Sequence, residues 1–216
     1  MTVAATAGAA RRTGTKGVAR ADRERQIVDA AGRVFAERGF ALASVGAVAR
    51  EAGISKPLIY NYFGSKDGLL VACLGRAGQL VVDEIERTAG LGEVGLTRAL
   101  VTLDGIFRTL EPQPWAWRLL NDPTVAGADG VEAVLGTYRD RMAAFAEDGV
   151  GELMRLAGDD DPVDIAAMIA VWTSVFDALV TWWIEHPEES PDAMSARCAR
   201  MFQAVFGPRA ISGLPG

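Results

Sequence analysis

An all-α fold is predicted by three features of the chain. Apolar residues recur at helical spacing, as at Ile27, Ala31, Val34 and Phe35. Helix start signals are clear at Asp161-Pro162 and Ser190-Pro191, each an N-cap followed by proline at the first helical position. No stretch alternates with period two between hairpin turns, so strands have no signal. The first helix covers about 23–38, capped by Asp22 and ended by Gly39. Ser44 caps a second, about 45–52, and Gly53 allows a sharp turn. Ser55 caps a third, about 56–63, with Pro57 in its first turn, where a missing N–H costs nothing. Gly64 ends that helix and Ser65 caps a fourth, running to about 87. Further helices are expected at about 96–110, near 115–120, and at about 131–148, 162–185 and 191–206.

Half of the 216 residues are hydrophobic, enough for a sizeable core. The most apolar stretch, 163–184, is interrupted by Thr173, Ser174, Asp177 and Thr181, so no run of the ~20 residues needed for a membrane span is expected. The N-terminus has no basic start followed by an apolar core of the kind a signal peptide carries, and a cytoplasmic location is expected. Cys73 and Cys198 lie in apolar helical patterns and read as buried free thiols. With one histidine, His186, and no P-loop, GxSxG or HExxH, the chain shows neither a catalytic set nor a cofactor or metal site. Asp159-Asp160-Asp161 reads as a solvated loop ending in the N-cap Asp161.

Charge divides the chain. Residues 1–66 hold 11 of the 22 Lys and Arg and 5 of the 28 Asp and Glu, a balance of +6, against −12 for residues 67–216. A basic head on an acidic body suits a protein of which only the head approaches a polyanion. The expected organisation is a flexible basic arm at 1–20 (Arg11, Arg12, Lys16, Arg20), a compact head at 21–66 and a helical body at 67–216.

Residues 44–63 have helix-turn-helix proportions, and Val48, Ala49, Ile54, Leu58 and Ile59 can fill the angle between the helices. Lys56, Tyr60, Asn61, Tyr62 and Lys66 gather on and after the second helix; amides and cations can read base edges, and phenols and lysines can hold phosphates. The run AVAREAGISKPLIYNYFGSKDGLL, 47–70, together with Phe35, Gly39 and Phe40, resembles the DNA-binding signature of TetR-family repressors, over about residues 20–70. The resemblance implies a three-helix head whose third helix enters the major groove of double-stranded operator DNA. It places Lys56, Leu58 and Asn61 at bases or flanking phosphates, Tyr60 and Tyr62 on the sugar–phosphate backbone, and Ser44, Ser55 and Lys66 on phosphates. Gly46 stands where some relatives carry a DNA-reaching side chain, which leaves base reading to the third helix.

The body holds all five tryptophans, with Phe107, Tyr138, Met142, Phe145 and Phe176. Such residues form core or line a pocket between helices. Phe107, Trp115, Trp117, Tyr138, Met142, Phe145, Trp172 and Phe176 are the candidate contacts for an apolar or aromatic small-molecule effector. Its charge is open: tryptophan faces and carboxylates such as Asp104 and Asp177 favour a cation, whereas Arg108, Arg118 and Arg141 could receive an anion. The last two helices carry apolar surface suited to a four-helix interface in a homodimer, which the resemblance also implies. The expected activity is a repressor released by its effector. An activator or dual regulator of the same fold, an all-α small-molecule-binding enzyme and a structural interaction protein are the alternatives.

Overall fold

The structure, a computed structural model, describes residues 19–207. Its helices are α1 (Arg20–Arg38), α2 (Val45–Glu51), α3 (Lys56–Phe63), α4 (Lys66–Ala89), α5 (Gly95–Leu110), α6 (Trp115–Leu120), α7 (Val131–Leu156), α8 (Pro162–Glu185) and α9 (Pro191–Phe206). One 3-10 turn, Pro123–Val125, lies between α6 and α7, and no strand occurs among the described residues. The chain is all-α, as its sequence predicts. The expected arm falls mostly on residues 1–18, outside the described residues.

The capping signals operate much as the sequence suggests. Ser44, Ser65, Asp161 and Ser190 accept hydrogen bonds from the N–H groups of Ala47, Gly68, Val163 and Ala193. Two boundaries differ. The first helix begins at Arg20 with Ala19 as its N-cap residue, so Arg20 belongs to the helix rather than to an arm. Asp22 lies within the first turn, paired with Arg25, where its charge still complements the helix dipole. α7 continues to Leu156, past Gly149 and Gly151. Tertiary contact offsets the poor propensity of those glycines: Arg98 of α5 binds Asp148 at 2.9 Å and reaches Glu152 at 3.6 Å.

One hydrophobic core runs through head and body. In the head, Ile27 and Phe35 of α1, Val48 of α2 and Ile59 of α3 are fully buried with Leu69 and Leu70 of α4. In the body, Leu74, Leu103, Ile106, Phe107, Leu110 and Leu119 are fully buried. Two elements join the halves. α4 continues out of the head into the body, and α6 packs directly against α1. The second junction is close: Trp115, itself 4% exposed, lies on Gly32, where a Cβ would stand 2.2 Å from Trp115 Cε3. At the far side, α9 is latched to α5 by Ser195, which donates to Asp104 at 2.7 Å, and by Arg108 paired with both Asp104 and Asp192. Burial disfavours the Asp104 charge, but hydrogen bonds from Arg108 and Ser195 outweigh it and hold the carboxyl below its usual range.

The expectation that no segment is long and apolar enough for a membrane span is corrected by α8. Its length and composition meet that test, and little of it is buried within the chain. Ser174 and Thr173 interrupt the apolar pattern less than their polarity suggests, because each hydroxyl donates to a carbonyl one turn back, at 2.8 Å. The exposed side of α8 includes Val163, Val171 and Trp182, and that of α9 includes Met201 and Val205. Trp182 lies 5.8 Å from the Arg197 guanidinium of α9, so the two exposed sides adjoin.

The Gly32 packing yields a prediction. Gly32→Ala forces the buried Trp115 ring to move and should destabilise the fold by about 1–3 kcal/mol, the usual cost of overpacking. The shift would be read as a lowered urea midpoint with unchanged slope.

Candidate nucleic-acid interface and interior cavity

The α2–α3 corner is set from below. Ala47, Val48 and Ala49 bury one side of α2, and Ile59 anchors α3. The turn takes a left-handed residue at Gly53, φ 64°, and Ile54 N–H returns to the Ala49 carbonyl at 3.0 Å. Gln26 of α1 steadies it by donating to the Ala52 carbonyl at 2.8 Å, and Arg33 bonds Glu51 at 3.2 Å. Neither bond has a sequence signal, because each joins residues far apart in the chain.

With Ile59 turned inward, Lys56, Tyr60 and Asn61 are exposed on α3, as is Ser55 at its start, and Leu58 and Tyr62 are half-buried. Ser55 precedes α3 as its N-cap residue, yet its hydroxyl makes no capping bond. Ser44 uses an oxygen lone pair on Ala47 and keeps its hydroxyl proton. Lys56 lies 5.8 Å over the Tyr60 ring, and Arg20 5.4 Å over Tyr62. Arg20, taken from sequence as part of the arm, thus joins this surface. A Cβ at Gly46 would meet only Ser44 Oγ at 3.7 Å, so α2 presents bare backbone there.

Lys66 has a different environment from the others. Its ammonium donates to the Phe40 carbonyl at 2.6 Å and the Ala41 carbonyl at 3.5 Å, and lies 4.2 Å over the Phe40 ring. Those bonds tie the α1–α2 connection to the start of α4. The sequence places Lys66 correctly beside the helix-turn-helix, but its first partners are carbonyls of the chain itself.

In the body a cavity of about 650 Å³ lies among α4, α5, α6, α7 and α8. Six of the eight residues expected to contact an effector line it: Trp117, Tyr138, Met142, Phe145, Trp172 and Phe176. The other two are corrected. Phe107 is fully buried with its ring 5.1 Å from that of Trp183, and Trp115 faces α1. Two residues apart on a helix are turned by about 200°, so Trp115 and Trp117 serve opposite sides of α6. Sequence reasoning missed the aliphatic and small lining, such as Leu135, Ala146, Gly149, Leu153 and Ile169, which has the pattern of ordinary core. It also missed Thr102 and Asn121. Lining residues on α7 run from Leu135 to Leu153, a rise of about 27 Å, so the cavity is long rather than round.

The arginines considered for an anion lie outside the lining. Arg108 is paired with Asp104 and Asp192, Arg118 donates to the Ile184 carbonyl at 3.0 Å, and Arg141 pairs with Glu86. A smaller cleft, about 390 Å³, separates Ala36 of α1 and Gly39 just after it from α6 and α8. Trp117 lines both spaces and anchors to α8 by donating from Nε1 to Thr181 Oγ1 at 3.0 Å. Burial pushes both thiols up: the Cys73 thiol well above its ordinary range, and Cys198 to about 11. Both are therefore protonated and unreactive at neutral pH. His186 stacks on Trp182 at 3.8 Å at the end of α8, away from the cavity lining.

Residues 27–73 match the family described as bacterial regulatory proteins, tetR family. The chain is 31% identical over 101 residues to the HTH-type transcriptional activator FasR of Mycolicibacterium smegmatis, covering 47% of this chain and 46% of FasR. It therefore spans about half the length of that relative. The HTH-type transcriptional repressor KstR of the same organism is 27% identical over 173 residues, 76% of this chain and 79% of KstR. The transcriptional regulator FadR of Bacillus subtilis, solved in complex with stearoyl-CoA, has the same fold: TM-score 0.67 at 16% identity, over 88% of this chain and 99% of FadR.

The Lys66 geometry yields a prediction. Lys66→Ala removes hydrogen bonds from a charged donor and should cost about 1.5–3 kcal/mol of stability. Urea unfolding of the variant checks this; an unchanged midpoint would return Lys66 to a purely surface role.

Proposed function

We propose, for a chain whose residues 27–73 are those of the tetR family of bacterial regulatory proteins, that it is a dimeric transcriptional repressor released from operator DNA by a small molecule. The observation that carries this is α3, with Lys56, Tyr60 and Asn61 exposed on it, Ser55 exposed at its start and its inner side anchored by Ile59, within residues 1–66, whose charge balance is +6. Lys56, Leu58 and Asn61 meet bases or flanking phosphates, Tyr60 and Tyr62 brace the backbone, and Ser44 and Ser55 donate to phosphates. Lys66 acts mainly by fixing the connection that presents them. The head spans 21–66 and the effector-binding, dimer-forming body 67–216. The protein works in the cytoplasm, with no catalytic step and no cofactor.

The exposed stripes of α8 and α9 form the subunit interface, which gives an apolar helix a place other than a membrane. The cavity takes an apolar or aromatic effector, and its length suits an extended one. α6 carries the signal: Trp117 touches the effector, and Trp115, on the opposite side, bears on α1. A ligand that shifts α6 re-aims the heads, and operator affinity falls by the ligand's differential affinity for the two arrangements. The name of KstR supports repression; that of FasR supports activation as the second reading. FadR, which shares this fold, was solved with stearoyl-CoA bound, which supports a small-molecule effector for this chain.

Selection of DNA from a random duplex pool tests the reading. It should return a pseudo-palindrome whose half-sites lie about 34–36 Å apart or a multiple of that. Recovery without sequence preference would refute it. Asn61→Ala should relax preference at one base pair per half-site, by about 1–3 kcal/mol. Lys56→Ala should lower the dependence of log K on log salt by about 0.9 for each phosphate that the lysine no longer neutralises.

Assembly is checked by sedimentation. Val171→Asp and Val205→Asp change residues 57% and 73% exposed, so they should split the dimer without unfolding the subunit. Phe202 is no clean probe, because it is buried against Trp172 with ring centroids 5.7 Å apart. A wild-type chain that sediments as a monomer at micromolar concentration would remove the proposed interface.

A further inference from the structure

We infer that the occupant of the large cavity bears a hydrogen-bond donor, an O–H or N–H on an apolar body, and that anionic and carbonyl-headed molecules are discriminated against. This rests on the effector reading of the cavity. The key pair is Thr102, which lines the cavity, and Thr88, 1% exposed behind it on α4. Thr88 Oγ1 lies 3.0 Å from the carbonyl oxygens of both Glu84 and Ile85. Carbonyls only accept, so the single Thr88 proton is committed to them. The 3.1 Å approach between the two hydroxyls must then take its proton from Thr102. What Thr102 has left for the cavity is lone pairs.

The other neutral groups repeat this polarity. Thr173 and Ser174 donate to the carbonyls of Ile169 and Ala170. Asn121 spends one N–H on the Trp117 carbonyl at 3.1 Å and keeps its oxygen. Asp177 adds a carboxylate that makes no ion pair among the described residues. The two cations in the lining are neutralised by the chain, Arg98 on Asp148 and Arg139 on Glu132 at 3.1 Å. Three neutral donors stand against these acceptors: the second Asn121 N–H, the Trp172 indole and the Tyr138 O–H, whose bond to Gln79 Oε1 is long at 3.5 Å. A ligand O–H or N–H finds a lone pair at Thr102. A ligand carbonyl or carboxylate there meets another lone pair, and a buried acceptor left unpaired is costly.

The test uses four probes of nearly equal apolar length: 1-decanol, decylamine, 2-decanone and decanoate. Binding is followed by quenching of tryptophan fluorescence, since Trp117 and Trp172 line the cavity. In the wild-type protein the alcohol should bind at least tenfold tighter than the ketone, and the amine at least tenfold tighter than decanoate. Thr102→Val, which removes the lone pairs but keeps the shape, should reduce the alcohol–ketone ratio to below threefold. Asp177→Asn should weaken the amine and leave the alcohol unchanged, which separates the charged donor from the neutral one. Ketone or decanoate binding as tightly as the alcohol overturns the inference while leaving the cavity as an effector site. Failure of all four to bind overturns the effector reading itself.

Discussion

The packing on which the arrangement depends is the seating of Trp115 on Gly32. It requires a residue without a side chain on α1 and a large flat one on α6. Without it, α4 alone would connect head and body, and the head could pivot about that helix. With it, head and body are joined at two places, and the position of α6 bears directly on the helix that carries the helix-turn-helix. Packed interfaces of this kind do not deform smoothly, because interiors are as dense as organic crystals. A displacement of α6 must either break the junction or move α1 with it.

That constraint gives the cavity its meaning. Trp117 is two residues along from Trp115 and looks the other way, into the space among α4, α5, α7 and α8. One short helix thus reads two environments, and the cleft beside it leaves room for movement. α4 borders the cavity at Ile85 and Ala89 and ends in the head at Lys66, whose ammonium holds the α1–α2 connection. Both routes end on the elements that aim α3.

Charge and apolarity are also divided by task. The positive balance lies on residues 1–66, which include α3, and the negative balance on residues 67–216. The uncovered apolar surface lies elsewhere, on α8 and α9. An apolar helix that little of the chain covers would be a liability in a monomer, and the dimer proposed above would cover it with the same stripe of a two-fold partner.

Much of this was written locally in the sequence. Periodicity, caps and the glycine stops located every long helix, because these signals act within a few residues of the chain. The helix-turn-helix and its exposed face were legible for the same reason: Ile59 pointing inward fixes where its neighbours on α3 point. Six of the eight residues expected at the cavity line it, because large aromatics on amphipathic helices must be core or lining. Which of the two each becomes is not a local matter. Phe107 and Trp115 look like Trp172 and Phe176 in composition, and only the packing of α1 and α8 against them turns the first pair into core. The role of Lys66, the extension of α7 past two glycines and the proton direction at Thr102 were likewise decided by partners distant in the chain. The sequence by itself determined the helices, their order and the side of α3 that meets solvent, since those follow from spacing and capping. Tertiary structure decided which polar and aromatic side chains face the cavity, since that depends on neighbours the sequence does not place side by side.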